Sequence, residues 1–243
     1  MNRMNDLNCL LAEKLVEDIK KDYEASGIAV AIIDKSGKTQ YEKFWGVRDL
    51  ESGKEVNGDT IFGLASVTKS FTALSIMQLE EKGIIDLDAP ISQYIPEFTN
   101  KNQSKKVTVR HLLSHAGGFF PLPRILVGNV AESLGLDEEK DGDFAYNDAV
   151  AQEGVKLVAE RLDAQTKENG LNGQPGEYLS YCNDGFGLLS DIIRRYGGEP
   201  SYADYLVKHV LKPLGMERSF CDFVRPSKDE NAATLYKKVD GVM

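Results

Sequence analysis

The sequence predicts an α+β fold in which the sheet is at least partly antiparallel. Two β-type runs, residues 28–33 and 39–47, flank a turn at residues 34–37, which is the pattern of a β-hairpin. Helical patterns lie before and after this hairpin, so sheet and helix are mixed along the chain. No internal repeat and no linker-like tract interrupts residues 1–243, and we therefore expect a single domain.

The N-terminal half of the chain contains two predicted helices. Residues 6–25 form an amphipathic helix that Gly27 ends. Its apolar face consists of Leu7, Leu10, Leu11, Leu15, Val16 and Ile19. Residues 66–82 form the second helix, which Gly83 closes as a C-terminal cap. Apolar residues surround most faces of this helix and Lys69 is the charge within its apolar stretch, so we expect the helix to be buried.

The C-terminal half is predicted to be mainly helical. Thr108 caps a short helix that stops at Gly117. Residues 119–146 have an irregular pattern with prolines and glycines, which predicts a long surface segment that covers a cleft. Further helices are expected over residues 150–165, over residues 184–196, and from Ser201 to just before Pro213.

Composition excludes several classes of partner and location. The net charge is −9 and the longest basic cluster is Lys105-Lys106, so nucleic acid is not an expected partner. No apolar run approaches the roughly 18 residues that a membrane span needs. Glu13 and Glu17 interrupt the region where a signal peptide has its apolar core. The sequence therefore predicts a cytoplasmic protein, or an exported one whose leader has been removed.

The cysteines and histidines do not form a metal-binding pattern. Cys9, Cys182 and Cys221 lack C-x-x-C spacing, which argues against both a disulfide framework and a zinc site. His111 and His115 have a spacing that suits a metal, but the intervening Leu-Leu-Ser supplies no carboxylate in the zinc-protease position. We therefore expect structural roles for both histidines, no metal and no cofactor.

Ser66 and Lys69 are the first candidate catalytic residues. Their i, i+3 spacing places a hydroxyl and an amine on the same helical face. Serine is a poor nucleophile at neutral pH unless a base takes its proton, and a lysine whose pKa is lowered by burial is such a base. The alternative is a helix-capping serine followed by an exposed lysine. The apolar surroundings favour the catalytic interpretation, because a lysine is rarely buried without a partner.

Tyr181 and Asn183 form a second candidate pair. A phenol next to a lysine ammonium has a lowered pKa, so Tyr181 could share the proton of the serine with Lys69. Asn183 offers both a donor and an acceptor for an amide or ester group of a substrate. The alternative for this pair is that Tyr181 packs and Asn183 caps the following helix.

The four candidates lie within stretches that match a known family in order. These stretches are residues 61–73, 83–88, 107–115, 175–183 and 213–216. In them the chain resembles the serine β-lactamase and penicillin-binding-protein superfamily, in the branch of class C β-lactamases, DD-peptidases and related esterases. The resemblance implies a β-lactamase/transpeptidase-like fold, with a mainly antiparallel sheet, flanking helices and a helical subregion at roughly residues 84–180.

The resemblance also implies a role for each candidate. Ser66 is the expected acylated nucleophile, and its backbone N–H is half of the oxyanion hole. Lys69 is the expected activating partner and Tyr181 the general acid or base, so we treat the two as a coupled pair. Asn183 is the expected ligand of the substrate amide. The implied substrates are small molecules or peptides, namely a β-lactam, a D-amino-acid peptide or a carboxylic ester.

One family motif has no counterpart in this sequence. Relatives carry Lys-Thr-Gly or His-x-Gly on a strand C-terminal to the tyrosine motif, and that strand supplies the second oxyanion donor. The sequence reaches Met243 without such a strand, while His115-Ala-Gly and Lys35-Ser-Gly precede the tyrosine motif and fit turns. We therefore expect a domain that lacks its C-terminal part and has an incomplete sheet, whose exposed edge favours a homo-oligomer.

Two functional hypotheses follow from the sequence. The first is a serine hydrolase that forms an acyl-enzyme at Ser66 on an amide or ester. The second is a truncated, catalytically silent relative that binds a ligand or a partner protein. The four candidate residues support the first hypothesis, and the missing third motif supports the second.

Overall fold

The structure, a computed structural model, describes residues 6–123, 127–137, 140, 148–221 and 224–236. Its contacts divide the chain into two compact units. The first comprises the described residues of Met1–Leu64 and Phe223–Met243, and the second is Ala65–Asp222. A single domain over residues 1–243 stays a prediction.

The first unit contains the predicted hairpin. Helix α1 (Asp6–Tyr23) precedes strands β1 (Gly27–Ile33) and β2 (Thr39–Gly46), which pair antiparallel with Gly27 opposite Gly46. The turn between the strands forms because the Asp34 carboxylate accepts the N–H groups of Ser36 and Lys38 at 2.8 and 3.1 Å. Within the described residues these are the only two strands, so the sheet is small and open. A short helix, α8 (Val224–Ser227), belongs to the same unit.

Helix α1 begins at the predicted residue but ends two residues before the predicted position 25. Its last residue is Tyr23, and the left-handed residue that follows is Glu24, with φ of 51°. Gly27, the predicted terminator, is instead the first residue of β1. On the predicted apolar face Val16 is buried, whereas the side chains of Leu10, Leu11 and Leu15 are exposed.

The second unit is helical. Its helices in chain order are α2 (Thr68–Glu81), α3 (Val109–Leu113), α4 (Val127–Ser133), α5 (Asp148–Asp163), α6 (Asn183–Tyr196) and α7 (Tyr202–Leu206), which continues as π-helix over Val207–Leu211. Helix α6 lies at the centre, in contact with α2, α3, α5 and α7. Its buried Leu188, Leu189 and Ile192 join Ile76 and Leu79 of α2 in the main core. None of the described helices is both long and apolar enough to cross a bilayer.

Helix α2 carries the predicted nucleophile at its N-terminal end, where a 3-10 turn, Ala65–Val67, precedes its first residue. Its C-terminal end is a Schellman motif, because Gly83 N–H donates to the Glu80 carbonyl and Ile84 N–H to the Leu79 carbonyl. Gly83 has a φ of +67°, as the predicted capping role requires.

The prediction that this helix is buried on most of its faces was wrong. Thr72, Ser75, Ile76 and Leu79 are buried on the side that packs against α6. Leu74 and Met77 project from the other side and are exposed over nearly half of their surface, at 44% and 45%. The helix therefore has apolar side chains on both sides, and among the described residues the buried side is the one that packs against α6.

The segment 119–146, predicted to be irregular, contains helix α4. Val130 and Ala131 of α4 are buried against Val150 of α5 in a second, smaller cluster. The two residues are adjacent in sequence and supply only one turn of apolar surface, which is why the pattern gave no helical signal. Residues 124–126, 138–139 and 141–147 of this segment lie outside the described residues.

Candidate active site

Ser66 lies on the surface in the turn that opens helix α2. The residue before it, Ala65, has a φ of +44°, which is the left-handed region that residues with a Cβ rarely adopt. Such a conformation costs free energy and persists only where the surrounding structure holds it, and functional sites are where it is commonly found. The turn presents the Ser66 hydroxyl at the end of the helix, where backbone N–H groups have no intrahelical acceptor.

Lys69 lies within hydrogen-bonding distance of Ser66. Its Nζ donates to Ser66 Oγ at 3.2 Å, so the proximity that the i, i+3 spacing predicts is present. The side chain of Lys69 is only half-buried, however, whereas the sequence predicted a buried lysine. Its ammonium lies against two aromatic rings instead, 4.8 Å from the ring centroid of Tyr181 and 5.6 Å from that of Phe186. These rings hold the ammonium in place next to the hydroxyl.

Tyr181 completes a group of three side chains at this point. Its Oη lies 2.7 Å from Ser66 Oγ, although the two residues are distant in sequence. The pKa of Tyr181 is lowered, chiefly by its hydrogen bond with Lys69 and then by that with Ser66. The serine oxygen therefore has the amino group of Lys69 and an acidified phenol within hydrogen-bonding reach, and either group can accept its proton when it is deprotonated.

Asn183 is close to Tyr181 in sequence, but its side chain makes no hydrogen bond with this group in the described structure. It is the first residue of α6, and its exposed carboxamide has no hydrogen-bond partner among the described residues. The alternative role as a helix cap does not apply, because the N-cap of α6 is Cys182. The carboxamide is therefore free to bind a ligand.

The segment that carries Tyr181 is fixed to the end of helix α3. Gly176 N–H donates to the Ala116 carbonyl and Ser180 N–H to the His115 carbonyl, both at 2.8 Å. The N–H of Cys182 donates to His115 Nδ1 at 3.2 Å. Sequence reasoning assigned His115 a structural role without finding this contact, because no local pattern reveals which segment meets it. The same holds for Phe186, which borders both Lys69 and His115.

The remaining candidates for catalysis or metal binding have other roles. His111 forms a capping box with Thr108, in which its Nδ1 accepts the Thr108 N–H at 3.1 Å. Burial raises the pKa of the Cys182 thiol to about 11, so this cysteine stays protonated and is a poor nucleophile. Among the described residues no group of His, Cys, Asp and Glu side chains is arranged to hold a metal ion.

Comparison with known proteins identifies relatives of this chain. It is 32% identical over 213 residues to the esterase EstB of Burkholderia gladioli, a match that covers 86% of this chain and 50% of EstB. An octameric penicillin-binding protein homologue from Pyrococcus abyssi shares its fold, with a TM-score of 0.72 and 31% identity over 94% of this chain and 47% of that one. The chain thus spans about half the length of the relatives that it matches.

A class C β-lactamase structure has the same fold, with a TM-score of 0.68 at 23% identity over 91% of this chain and 52% of that one. These likenesses confirm the predicted β-lactamase/transpeptidase-like fold and its α+β class. Residues 12–243 match the sequence profile of the family described as Beta-lactamase. The chain therefore belongs to the β-lactamase family, within the serine β-lactamase and penicillin-binding-protein superfamily.

Proposed function

We propose that the chain is a serine hydrolase that forms an acyl-enzyme at Ser66. The observation that supports this most directly is the position of Ser66 Oγ, which is 3.2 Å from Lys69 Nζ and 2.7 Å from Tyr181 Oη. A nucleophile with adjacent proton-exchanging groups is the arrangement that covalent catalysis at a hydroxyl requires. The names of relatives, an esterase and penicillin-binding proteins, agree with this class of chemistry.

The proposed acylation moves one proton around the three side chains. Ser66 Oγ attacks the substrate carbonyl carbon while its proton passes to the Lys69–Tyr181 pair, which requires that the pair be one proton short of fully protonated. The bond from the carbonyl carbon to the leaving nitrogen or oxygen then breaks, and the pair returns the proton to the leaving group. Water repeats the sequence on the ester to release the acid and restore Ser66. We assign the proton to the pair, because strongly interacting groups titrate together.

Two further contacts complete the proposed site. The backbone N–H of Ser66 donates to the oxyanion that develops on the substrate carbonyl, and such donors commonly contribute about a hundredfold or more to the rate. Asn183 binds the amide or ester group of the substrate through its unpaired carboxamide. The proposed substrates are β-lactams, D-amino-acid peptides and carboxylic esters, all of which present an acyl group to the serine.

A catalytically silent relative that binds a ligand or partner protein is the second candidate. One observation favours it: Leu74 and Met77 of α2 are large apolar side chains that are exposed. This candidate predicts a ligand-induced rise in melting temperature without turnover. A serine hydrolase predicts both a ligand-induced rise in melting temperature and turnover.

Self-association through the sheet edge is a separate proposal. Within the described residues β1 and β2 pair only with each other, so each has an unpaired edge that can add a strand from another copy. The Pyrococcus abyssi homologue is described as octameric, which supports oligomerisation in a related chain. Sedimentation of the wild type should give a mass above that of the monomer, and a charge at the exposed Ile33 (Ile33→Lys) should lower it. A monomeric wild type would contradict this proposal.

Turnover of chromogenic substrates tests the proposed function. Wild-type chain, Ser66→Ala and Ser70→Ala are compared for hydrolysis of a p-nitrophenyl ester and of a chromogenic cephalosporin. Ser70 is the matched control, because it is an exposed serine one turn further along the same helix. We expect activity in the wild type and in Ser70→Ala and none above background in Ser66→Ala. Equal rates for all three would refute Ser66 as the nucleophile, and inactivity with ligand-induced stabilisation would support the second candidate.

A further inference from the structure

We propose that His115 is a positioning residue for Tyr181, which it holds in place beside Ser66 and Lys69 through its ring and its backbone. The inference rests on the proposed function, since it concerns how the proton-exchanging group of that site is held. His115 touches none of the reacting atoms, so its effect is exerted through Tyr181. Three contacts of His115, two with the backbone around Tyr181 and one with its ring, carry the argument.

The backbone on both sides of Tyr181 is hydrogen-bonded to His115. The His115 carbonyl accepts the N–H of Ser180 at 2.8 Å, and its ring Nδ1 accepts the N–H of Cys182 at 3.2 Å. These two bonds hold the backbone N–H groups of the residues on either side of Tyr181 and so restrict the direction in which the phenol leaves the chain. The second bond requires an unprotonated Nδ1, which places the ring proton on Nε2.

The ring of His115 supports the phenol directly. It stacks on the ring of Tyr181 with centroids 4.3 Å apart and planes tilted by 34°, and it meets Phe186 at 5.0 Å. Phe186 in turn borders the Lys69 ammonium. The imidazole therefore lies between Tyr181 and Phe186, which belongs to the first turn of α6, and it connects the phenol to that helix.

The backbone of His115 is itself in a rarely used conformation. Its φ is +54°, in the left-handed region that costs free energy for residues other than glycine and asparagine. This conformation turns the chain sharply after α3 and directs both the carbonyl and the imidazole of His115 toward the tyrosine segment. A residue in such a conformation that bonds one segment twice is arranged to hold that segment.

The neutral state of His115 matters for this role. The titratable groups that face it are Lys69 from α2 and Tyr181 from the tyrosine segment. Burial and the nearby Lys69 charge lower the pKa of His115, so the ring stays neutral near pH 7. Protonation would replace the acceptor at Nδ1 by a donor and set two positive charges beside Tyr181. Acylation should therefore weaken at acid pH through His115.

Two substitutions separate the contributions of His115. His115→Asn keeps an acceptor for the Cys182 N–H and suits a left-handed backbone, but it removes the ring. His115→Phe keeps the ring and removes the acceptor. The matched control is His209→Phe, because His209 stacks on Tyr205 with similar geometry, 4.5 Å and 33°, away from the catalytic group. We expect Ser66 in His209→Phe to be labelled by a covalent probe at the wild-type rate.

The rate of Ser66 labelling by a fluorophosphonate probe is measured in a double-mutant cycle with Tyr181→Phe. Each His115 variant should slow labelling about tenfold when Tyr181 is present and less than about twofold in the Tyr181→Phe background. His115→Asn should also lose the part of the decline at acid pH that protonation of His115 causes, while the part that protonation of the Lys69–Tyr181 pair causes should remain. Equal slowing in both backgrounds would overturn the proposal, because His115 would then act independently of Tyr181.

A spectroscopic measurement keeps this test separate from that of the proposed function. The Tyr181 ring is observed by NMR of the chain labelled with ¹³C at tyrosine Cζ, and its signal is assigned by its loss in Tyr181→Phe. In His115→Phe the pKa of Tyr181 should rise toward its ordinary value, since the phenol moves away from Lys69. An unchanged Tyr181 pKa in a folded His115→Phe would overturn the proposal. A wild type that is never labelled would refute the proposed function and leave this measurement valid.

Discussion

Replacement of Lys69 by methionine tests the contribution of Lys69 to the pair that takes the proton of Ser66. The substitution removes the ammonium 3.2 Å from Ser66 Oγ and keeps an unbranched side chain against the rings of Tyr181 and Phe186. Because Lys69 is only half-buried and its aromatic neighbours remain in contact with the new side chain, the melting temperature should change by no more than a few degrees. Any large loss of reactivity then reflects chemistry rather than unfolding.

The size of the loss follows from the geometry. A unit positive charge 3.2 Å from a full negative charge on Ser66 Oγ is worth about 5 kcal/mol at an effective dielectric constant of about 20, and about 1 kcal/mol in bulk water. Ser66 is exposed, so the true value lies between these limits, which correspond to roughly tenfold and several-thousandfold in rate. Loss of a general base alone typically costs about 10²- to 10⁴-fold. We expect Lys69→Met to slow acylation about 10³-fold.

The assay is the rate of Ser66 modification by a fluorophosphonate, measured over a range of probe concentrations to separate binding from acylation. Lys82→Met is the matched control, because Lys82 also lies over an aromatic ring, that of Tyr205 at 5.8 Å, and follows the other end of the same helix. Acylation by Lys69→Met within about threefold of the wild type would refute Lys69 as the activating partner. A parallel ¹³C NMR titration should show the pKa of Tyr181 rising in Lys69→Met, since Lys69 is the main cause of its lowering.

Three predictions concern stability. Asp163→Ala should lower the free energy of unfolding, measured by urea denaturation, by roughly 3 kcal/mol. The reason is that the buried carboxylate accepts three hydrogen bonds from residues 99–101. A loss below about 1 kcal/mol would contradict this prediction. Gly83→Ala should lower the free energy of unfolding by about 1 kcal/mol, or the melting temperature by a few degrees. The cost comes from the backbone alone, because the φ of Gly83 is +67° and an added Cβ meets no neighbour. An unchanged melting temperature would show that the cap tolerates a side chain. Burial holds the pKa values of His111 and His115 below those of the unfolded chain, so the unfolded state binds more protons. The free energy of unfolding should therefore fall as the pH decreases from about 7.5 through 6.5. Equal urea midpoints at pH 7.5 and 5.5 would contradict this prediction.

The residue types of the candidate site were predictable because the chemistry restricts them. Ser66 and Lys69 share a helical face by spacing alone, and the 3.2 Å separation of their polar atoms agrees with that prediction. The resemblance in motif order is what indicated Tyr181, whose Oη lies 2.7 Å from Ser66 Oγ. Spacing alone contains no information about segments so distant in sequence. The hairpin and the cap at Gly83 were predictable for local reasons, namely turn residues and left-handed glycine.

What the sequence could not provide depends on contacts between distant segments. The burial of Lys69 was overestimated because apolar neighbours in sequence do not all become neighbours in space, and Leu74 and Met77 on the same helix remain exposed. The left-handed backbone at Ala65 has no signature, because alanine does not favour that region and is held there by its surroundings. The stacking of His115 on Tyr181 likewise arises where two segments meet.

Mass spectrometry of the chain after reaction with a fluorophosphonate tests the central claim, that Ser66 is the nucleophile activated by Lys69 and Tyr181, most directly. Intact mass gives the number of adducts, and peptide mapping gives their position. The account predicts a single adduct on the peptide that contains Ser66, its absence in Ser66→Ala and a much slower appearance in Lys69→Met. An adduct at another residue, or no adduct in a folded wild-type chain, would contradict the account.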